Sequence, residues 1–152
     1  MTTDEQYMRE ALRLAARAAN EGEVPIGAVI VAGGRVLARG RNRPIHRSDP
    51  TAHAEIDALR RACRAAGNYR LSGSTLYVTI EPCAMCLGAI VQARITRLVF
   101  GAADPKAGAV VSIMRFPFEK LNHRPEIEGG VLAGECGAIL REFFRERRRA
   151  RK

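Results

Sequence analysis

The sequence predicts an α/β domain in which one sheet carries helices on both of its faces. Helical and strand-like segments alternate along the chain, which is typical of this layering. The clearest strand, residues 75–80, is rich in β-branched and aromatic side chains. The length of 152 residues suits one domain with a buried core. We therefore expect a single domain over residues 1–152.

The first part of the chain is predicted to form a helix and a β-hairpin. Residues 3–6, Thr-Asp-Glu-Gln, fit a capping box, and the helix is expected to run to about Asn20. The apolar run 27–31 predicts a buried strand, and residues 35–41 alternate as its partner. Gly33-Gly34 between the two strands is a strong hairpin signal.

The middle of the chain is predicted to be a loop, a helix, a strand and a second helix. Residues 42–51 contain two prolines and several turn formers, so we expect a loop. The loop leads to a helix that starts near Ala52 and ends around Gly67. After the strand over 75–80, Pro82 suits the first turn of the next helix.

The last third is less regular. Residues 95–100 predict a strand closed by Gly101, and residues 125–128 are expected to form a short edge strand, whereas residues 110–118 give no clear pattern. A basic helix is predicted over roughly 131–148, with a charged tail to residue 152 that frays.

The net charge of +9 indicates a polyanionic partner, with nucleic acid first among the candidates. The alternative is a surface whose charge serves only solubility. The N-terminus is acidic and polar, unlike a signal peptide, and no apolar run is long enough to span a bilayer. We therefore expect a cytoplasmic protein that does not interact with membranes.

Two short motifs supply the residues of a catalytic zinc site. His53-Ala54-Glu55 is followed, after 26 intervening residues, by Pro82-Cys83-Ala84-Met85-Cys86. One imidazole and two thiolates are suitable zinc ligands, and three protein ligands leave a position for water. Glu55 then stands beside the metal and carries protons during hydrolytic deamination.

Helix geometry supports this assignment. His53 and Cys83 each fall at the start of a predicted helix, where the helix dipole favours a thiolate. Cys83 and Cys86, three residues apart, lie on one helical face. Glu55 is two residues from His53 and does not share its face, so we expect it beside the ion.

A closed, purely structural zinc site is the alternative, and it needs a fourth protein ligand. Cys63 is expected about 15 Å along the helix from His53 and is interpreted as a core thiol. Cys136, His46 and His123 are not excluded by spacing.

Beyond the metal motif, the sequence resembles the cytidine/deoxycytidylate deaminase superfamily. Within it, the chain is most similar to the bacterial family that converts the wobble adenosine of an arginine tRNA to inosine. The resemblance implies a three-layer α/β/α cytidine-deaminase-like fold with a central mixed sheet of about five strands. It rests on nine segments spread over nearly the whole chain: residues 24–29, 42–44, 49–56, 68–71, 75–79, 81–86, 99–102, 122–124 and 143–145.

The resemblance also implies a set of partners and contacts. One Zn²⁺ per subunit, a homodimer and a tRNA anticodon stem-loop are expected. Asn42 would contact the flipped base, and the N–H of Cys83 would lie near the reacting centre. Further substrate contacts are implied for Ala54, Pro82, Asp104, Lys106, Phe143, Phe144, Arg147 and Arg148. Without the resemblance, Asn42 is a turn residue and the two phenylalanines are more often core residues.

Residues 110–118 depart from the pattern of the family, which leaves room for another substrate. A deaminase of a free base or nucleoside, such as guanine or cytosine, is therefore the alternative enzyme. A non-catalytic, zinc-containing RNA-binding module is the alternative from another functional class, although structural zinc has no need of Glu55.

Overall fold

A computed structural model describes residues 1–151, which contain five strands and five α-helices. In chain order the elements are α1 (Thr3–Asn20), β1 (Gly27–Ala32), β2 (Arg35–Arg41), α2 (Pro44–Arg47), α3 (Ala54–Ala66), β3 (Ser74–Ile80), α4 (Ala84–Gln92), β4 (Arg97–Ala102), β5 (Glu126–Gly129) and α5 (Ala133–Ala150). A short 3-10 helix, Phe118–Lys120, precedes β5. The alternation of helices and strands confirms the predicted α/β class.

The strands form one mixed sheet in the order β2-β1-β3-β4-β5, counted over residues 1–151. β1 is antiparallel to β2 and β3, whereas β3, β4 and β5 are parallel to one another. Because β3 and β4 run in the same direction, the segments that follow them leave the same edge of the sheet. Sites in sheets of this kind form at that edge.

The alternation of side chains along each strand divides the core into two layers. Ile30, Leu76 and Leu98 pack in one cluster with α3 and α4. Val29 and Tyr77 on the opposite face pack against α1 and α5. The three-layer α/β/α arrangement is therefore confirmed. Within residues 1–151 no helix combines the length and apolar character needed to cross a membrane.

Gly40 allows α3 to lie directly on β2. A Cβ atom at this position would collide with the carbonyl of Ala54 and the backbone of Ala58 in the first turns of α3. This close approach brings the beginning of α3 next to the end of β2, where Asn42 follows.

The capping box of α1 lies one residue earlier than predicted. Thr2 is the N-cap: its Oγ1 accepts from the N–H of Glu5 at 3.1 Å, and Glu5 Oε1 accepts from the N–H of Thr2 at 2.9 Å. A carboxylate in the first turn accepts a stronger hydrogen bond than the Gln6 amide and interacts favourably with the helix dipole. The predicted end at Asn20 is confirmed.

Two further predictions need correction. The expected loop over 42–51 contains the short helix α2, which Pro44 begins at its first position. β4 begins later than predicted and passes through Gly101, because Ala102 still pairs with Ile80 and its carbonyl accepts from the N–H of Glu81 at 2.8 Å. The edge strand predicted at 125–128 is confirmed as β5.

The C-terminal helix has the predicted length of 18 residues but is shifted two residues towards the C-terminus. It was expected over roughly 131–148 with a frayed tail, but α5 continues to Ala150, and Lys152 lies outside the described residues. Ion pairs at i, i+3 spacing, Glu142 with Arg145 and Glu146 with Arg149, support the last turns. Arginines at a helix C-terminus also complement its dipole.

Candidate active site

Two helix N-termini meet at the candidate site. His53 is the N-cap of α3 and Cys83 is the N-cap of α4, and both have extended backbone conformations. α4 follows β3 directly, whereas the loop after β2 delivers α3 to the same region. The predicted positions of His53 and Cys83 at two helix starts are therefore confirmed.

His53, Cys83 and Cys86 form a compact group of potential metal ligands. The Nδ1 atom of His53 lies 3.6 Å from the Cys83 sulfur and 3.5 Å from the Cys86 sulfur. All three ligand atoms lie within 4.8 Å of one another. One imidazole nitrogen and two sulfurs are a donor set that suits zinc.

Within residues 1–151, no further His, Cys, Asp or Glu joins this group as a fourth ligand. This argues against a closed structural zinc site, which needs four protein ligands. The other candidates are engaged elsewhere. Cys63 faces the carbonyl of Tyr69, and Cys136 is buried between α5 and the sheet. His46 pairs with Glu23, and His123 contacts the carbonyl of Ile95.

The arrangement favours a thiolate at Cys83. A hydrogen bond from Cys86, together with the neighbouring His53, lowers the pKa of Cys83 to about 4. The same hydrogen bond and burial raise the pKa of Cys86. Interaction with Cys83 raises the pKa of His53. A cation bound by these atoms would favour the deprotonated form of both thiols.

Glu55 lies in the first turn of α3 and is only 3% exposed. Burial raises the pKa of its carboxyl to about 7, and the nearby His53 opposes this increase. The pKa of a general acid or base is most useful close to the operating pH, so Glu55 is suited to both accept and return a proton. Its burial beside Cys86 agrees with the predicted position next to the ligands.

Asn42 is buried against the start of α3. Its Oδ1 atom accepts a hydrogen bond from the N–H of Ala54 at 3.1 Å, and its own N–H donates to the carbonyl of Ile26 at 3.1 Å. The structure thus brings the predicted substrate contacts Asn42 and Ala54 next to His53 and Glu55. Pro82, another predicted contact, precedes Cys83 and is buried.

The remaining predicted contacts lie in or beside a groove between α5 and the loop after β4. The groove has a volume of about 780 Å³, and its lining includes Asp104, Lys106, Phe144, Arg147 and Arg148. The ammonium of Lys106 lies 5.9 Å from the centre of the Phe144 ring, which joins the loop to the helix. Phe143 is half-buried and does not line the groove, but its ring packs edge-on against Phe144.

Two buried glutamates were missed in the sequence analysis. Glu23 accepts hydrogen bonds from the backbone of Ile45 and His46 and so holds α2. Glu81 accepts hydrogen bonds from the loop after β4. Glu23 lies two residues before Pro25 and shortly before β1, and Glu81 lies directly after β3 and before Pro82. A buried carboxylate needs hydrogen-bond partners. A glutamate next to an apolar strand was therefore the signal in the sequence that could have identified both residues.

Comparisons with known proteins identify the family of the chain. A family model described as MafB19-like deaminase matches residues 2–148. The tRNA-specific adenosine deaminase of Bacillus subtilis is 48% identical over 153 residues, covering 100% of this chain and 95% of that protein.

The chain is also similar to solved structures of deaminases. A structure from a study of A-to-I editing by tRNA:A34 deaminases at the wobble position is 49% identical, with a TM-score of 0.84 over 89% of this chain and 99% of that one. A guanine deaminase from Bacillus subtilis is 35% identical, with a TM-score of 0.64 over 76% of this chain and 84% of that one. The chain therefore belongs to the MafB19-like deaminase family, together with the tRNA-specific adenosine deaminases.

Proposed function

We propose that this chain is a zinc-dependent aminohydrolase that converts the wobble adenosine of a tRNA anticodon, that of an arginine tRNA, to inosine. The observation that carries the proposal is the position of buried Glu55 beside the three-ligand group of His53, Cys83 and Cys86. The tRNA substrate is supported by the similar proteins named for that activity and by the basic groove next to the site.

One zinc ion per subunit is the proposed cofactor, held by His53 Nδ1 and the sulfurs of Cys83 and Cys86. The two sulfurs and the imidazole suit zinc, and the three protein ligands leave room for water or substrate. When bound, zinc supplies a water molecule of lowered pKa as the nucleophile.

The protein residues then manage protons and orientation. Glu55 accepts the proton of the attacking water and delivers it to the ring nitrogen next to the carbon that bears the amine. Further proton transfer through the same carboxyl lets the amine leave as ammonia, so adenosine and water give inosine and ammonia. Asn42 orients the base, because its Oδ1 accepts from the N–H of Ala54 and its Nδ2 group has no partner within residues 1–151.

The groove is the proposed path of the anticodon strand. Six cations contribute to its lining: Lys106, Arg141, Arg145, Arg147, Arg148 and Arg151. The groove is connected to the site at two points. Ile26, which lines it, accepts a hydrogen bond from Asn42, and Asp104 donates one to Glu81, the residue before Pro82. A phosphate backbone lying on these cations would bring the wobble base to Asn42 and Glu55.

A homodimer in the cytoplasm is the proposed state of the protein. Several large apolar side chains are exposed on α4 and on the loop between β4 and β5, which supports an interface with a second copy. They are Met85, Val111, Ile113 and Met114. Analytical ultracentrifugation of the wild type and of Ile113→Asp tests this, because a monomeric wild type contradicts the dimer.

The test of function is inosine formation in an arginine tRNA anticodon stem-loop, measured beside ammonia release from free guanine, cytosine and adenosine. The same stem-loop with guanosine at the wobble position is the matched substrate control. We expect inosine from the stem-loop and no ammonia from the free bases. Ammonia from a free base without inosine in the stem-loop contradicts the proposal.

Deamination of free guanine is the second candidate, because the guanine deaminase structure shares this fold at 35% identity. The non-catalytic zinc module is disfavoured by Glu55, whose burial costs free energy and serves no purpose at a structural zinc site. If the site is catalytic, we expect the Glu55→Ala variant to retain its zinc and its affinity for RNA and to lose turnover. Unchanged turnover in this variant contradicts the role of Glu55.

A further inference from the structure

Glu81 is a fully buried carboxylate at the end of β3, 1% exposed and two residues before the ligand Cys83. Its Oε2 atom accepts hydrogen bonds from the N–H groups of Val110 and Val111 at 2.9 Å and of Ser112 at 3.1 Å. Its Oε1 atom accepts from the N–H of Asp104 at 3.1 Å and from the Ser112 hydroxyl. All five donors belong to the loop that follows β4.

We call residues 104–112 the docking loop. Its backbone lies directly on the segment that leads to the metal ligands. A Cβ at Gly108 would collide with the carboxyl of Glu81, and the N–H of Ala109 donates to the carbonyl of Pro82 at 2.9 Å. The position of the docking loop is therefore set by the two residues that precede Cys83.

The docking loop also carries groups that face the groove. The Asp104 side chain is held within the loop, where its Oδ1 accepts from the N–H groups of Lys106 and Ala107 at 3.0 and 3.2 Å. Lys106 reaches the Phe144 ring of α5. A displacement at Glu81 would thus move the Asp104–Lys106 segment relative to both the groove and the metal ligands.

We propose that Glu81 is a positioning residue that fixes the docking loop, and with it the groove residues Asp104 and Lys106, relative to the catalytic group. The part concerning RNA rests on the function proposed above. The anchoring of the loop rests only on the hydrogen bonds of Glu81. The divergent residues 110–112 fit this arrangement, because three of their backbone N–H groups and one hydroxyl bind the carboxylate.

Glu81→Gln is an informative change because the two carboxylate oxygens have different partners. The Oε2 position faces three N–H donors, so the amide oxygen of glutamine is expected to remain there. The amide NH₂ then takes the Oε1 position, where the Ser112 hydroxyl can accept from it but the N–H of Asp104 cannot. The glutamine variant therefore releases the Asp104 end of the loop, whereas Glu81→Ala releases both ends.

The experiment compares the zinc-loaded wild type with Glu81→Gln and Glu81→Ala, using Glu119→Gln as the control. Glu119 is an exposed carboxylate in the same β4–β5 connection. Amide hydrogen exchange follows the docking loop, and kcat and KM for inosine formation are measured on the stem-loop together with zinc content. For Glu81→Gln we expect faster exchange at Asp104, a KM raised about tenfold, as for one lost hydrogen bond to a charged group, and unchanged kcat and zinc content. Glu81→Ala is expected to accelerate exchange at residues 110–112 as well, while the control matches the wild type.

Unchanged exchange in both Glu81 variants overturns the proposal. A fall in kcat with loss of zinc and an unchanged KM also overturns it, since Glu81 would then support Cys83 and not the loop. If the wild type forms no inosine, the tRNA function fails separately. The exchange rates then decide the anchoring alone: faster exchange supports it and unchanged exchange overturns it.

Discussion

The basic groove makes a quantitative prediction about the salt dependence of RNA binding. Of the six cations that line it, only Arg145 forms an ion pair within residues 1–151, with Glu142. The other five have no acidic partner there and can each contact a phosphate, and Arg147 also donates to the carbonyl of Gly22 at 2.6 Å. Replacing Arg141 and Arg148 with alanine removes two of these five and leaves the metal ligands and Glu55 untouched.

The size of the effect follows from counterion release. Each phosphate contact contributes roughly 0.7–0.9 to the slope of log K against log salt concentration, so five contacts give a slope of about −4. Three remaining contacts give about −2.4. Between 50 and 200 mM salt, the wild type should lose affinity by about 250-fold and the double variant by only about 30-fold.

Fluorescence anisotropy of a labelled anticodon stem-loop, titrated at four salt concentrations, measures both slopes. The control is the double variant Arg13→Ala and Arg35→Ala, which removes the same charge from α1 and the β-hairpin, outside the groove lining. We expect the control to keep a slope near −4. Equal slopes for the two double variants would refute the groove as the RNA path, because net charge alone would then explain binding.

Three further predictions concern the site and the fold. Glu55→Gln should lower kcat by about 10²–10⁴-fold, as expected when a general acid–base is lost, with unchanged zinc content by atomic absorption; a smaller effect contradicts its role. Treatment with a chelator should abolish deamination and added Zn²⁺ should restore it, whereas full activity without metal excludes zinc catalysis. Hydrogen bonds from Arg97, at 2.7 and 2.8 Å, lower the pKa of Asp4 to about 2. Because the folded pKa lies below the unfolded value, this stability is present above about pH 4 and is lost as the pH falls towards 2. Asp4→Asn should thus cost about 1 kcal/mol at pH 7 after allowance for solvent screening, and almost nothing at pH 2, in urea titrations; an equal cost at both pH values contradicts the ion pair.

Local sequence signals predicted most of the secondary structure. The Gly33-Gly34 turn, the strand over 35–41 and the helix start at His53 depend on residues close together in the chain, so the sequence contains the information directly. The misplaced cap of α1 shows the limit of this reasoning. Thr2 with Glu5 and Thr3 with Gln6 both fit the capping-box pattern. The structure uses Thr2 with Glu5, whose carboxylate is the stronger hydrogen-bond acceptor.

The groove and the two buried glutamates could not be predicted in the same way. The partners of Glu81 lie 23 to 31 residues away in the sequence, and those of Glu23 lie 22 and 23 residues away. No local pattern encodes such contacts, since they depend on which strands are parallel and where the chain leaves the sheet. Phe143 and Phe144 are adjacent in the sequence, yet only Phe144 lines the groove.

The sequence by itself determined the chemistry: one imidazole, two thiols and one spare carboxylate at helix starts leave few alternatives to a metal-assisted hydrolysis. The tertiary structure decided the environment of these groups. It showed that three ligand atoms lie within 4.8 Å of one another and that Glu55 is buried beside them. It also brought backbone N–H groups of the docking loop to the carboxylate of Glu81. Ligand identity is a property of individual residues, whereas proximity, burial and the pKa of Glu55 arise only when distant segments pack together.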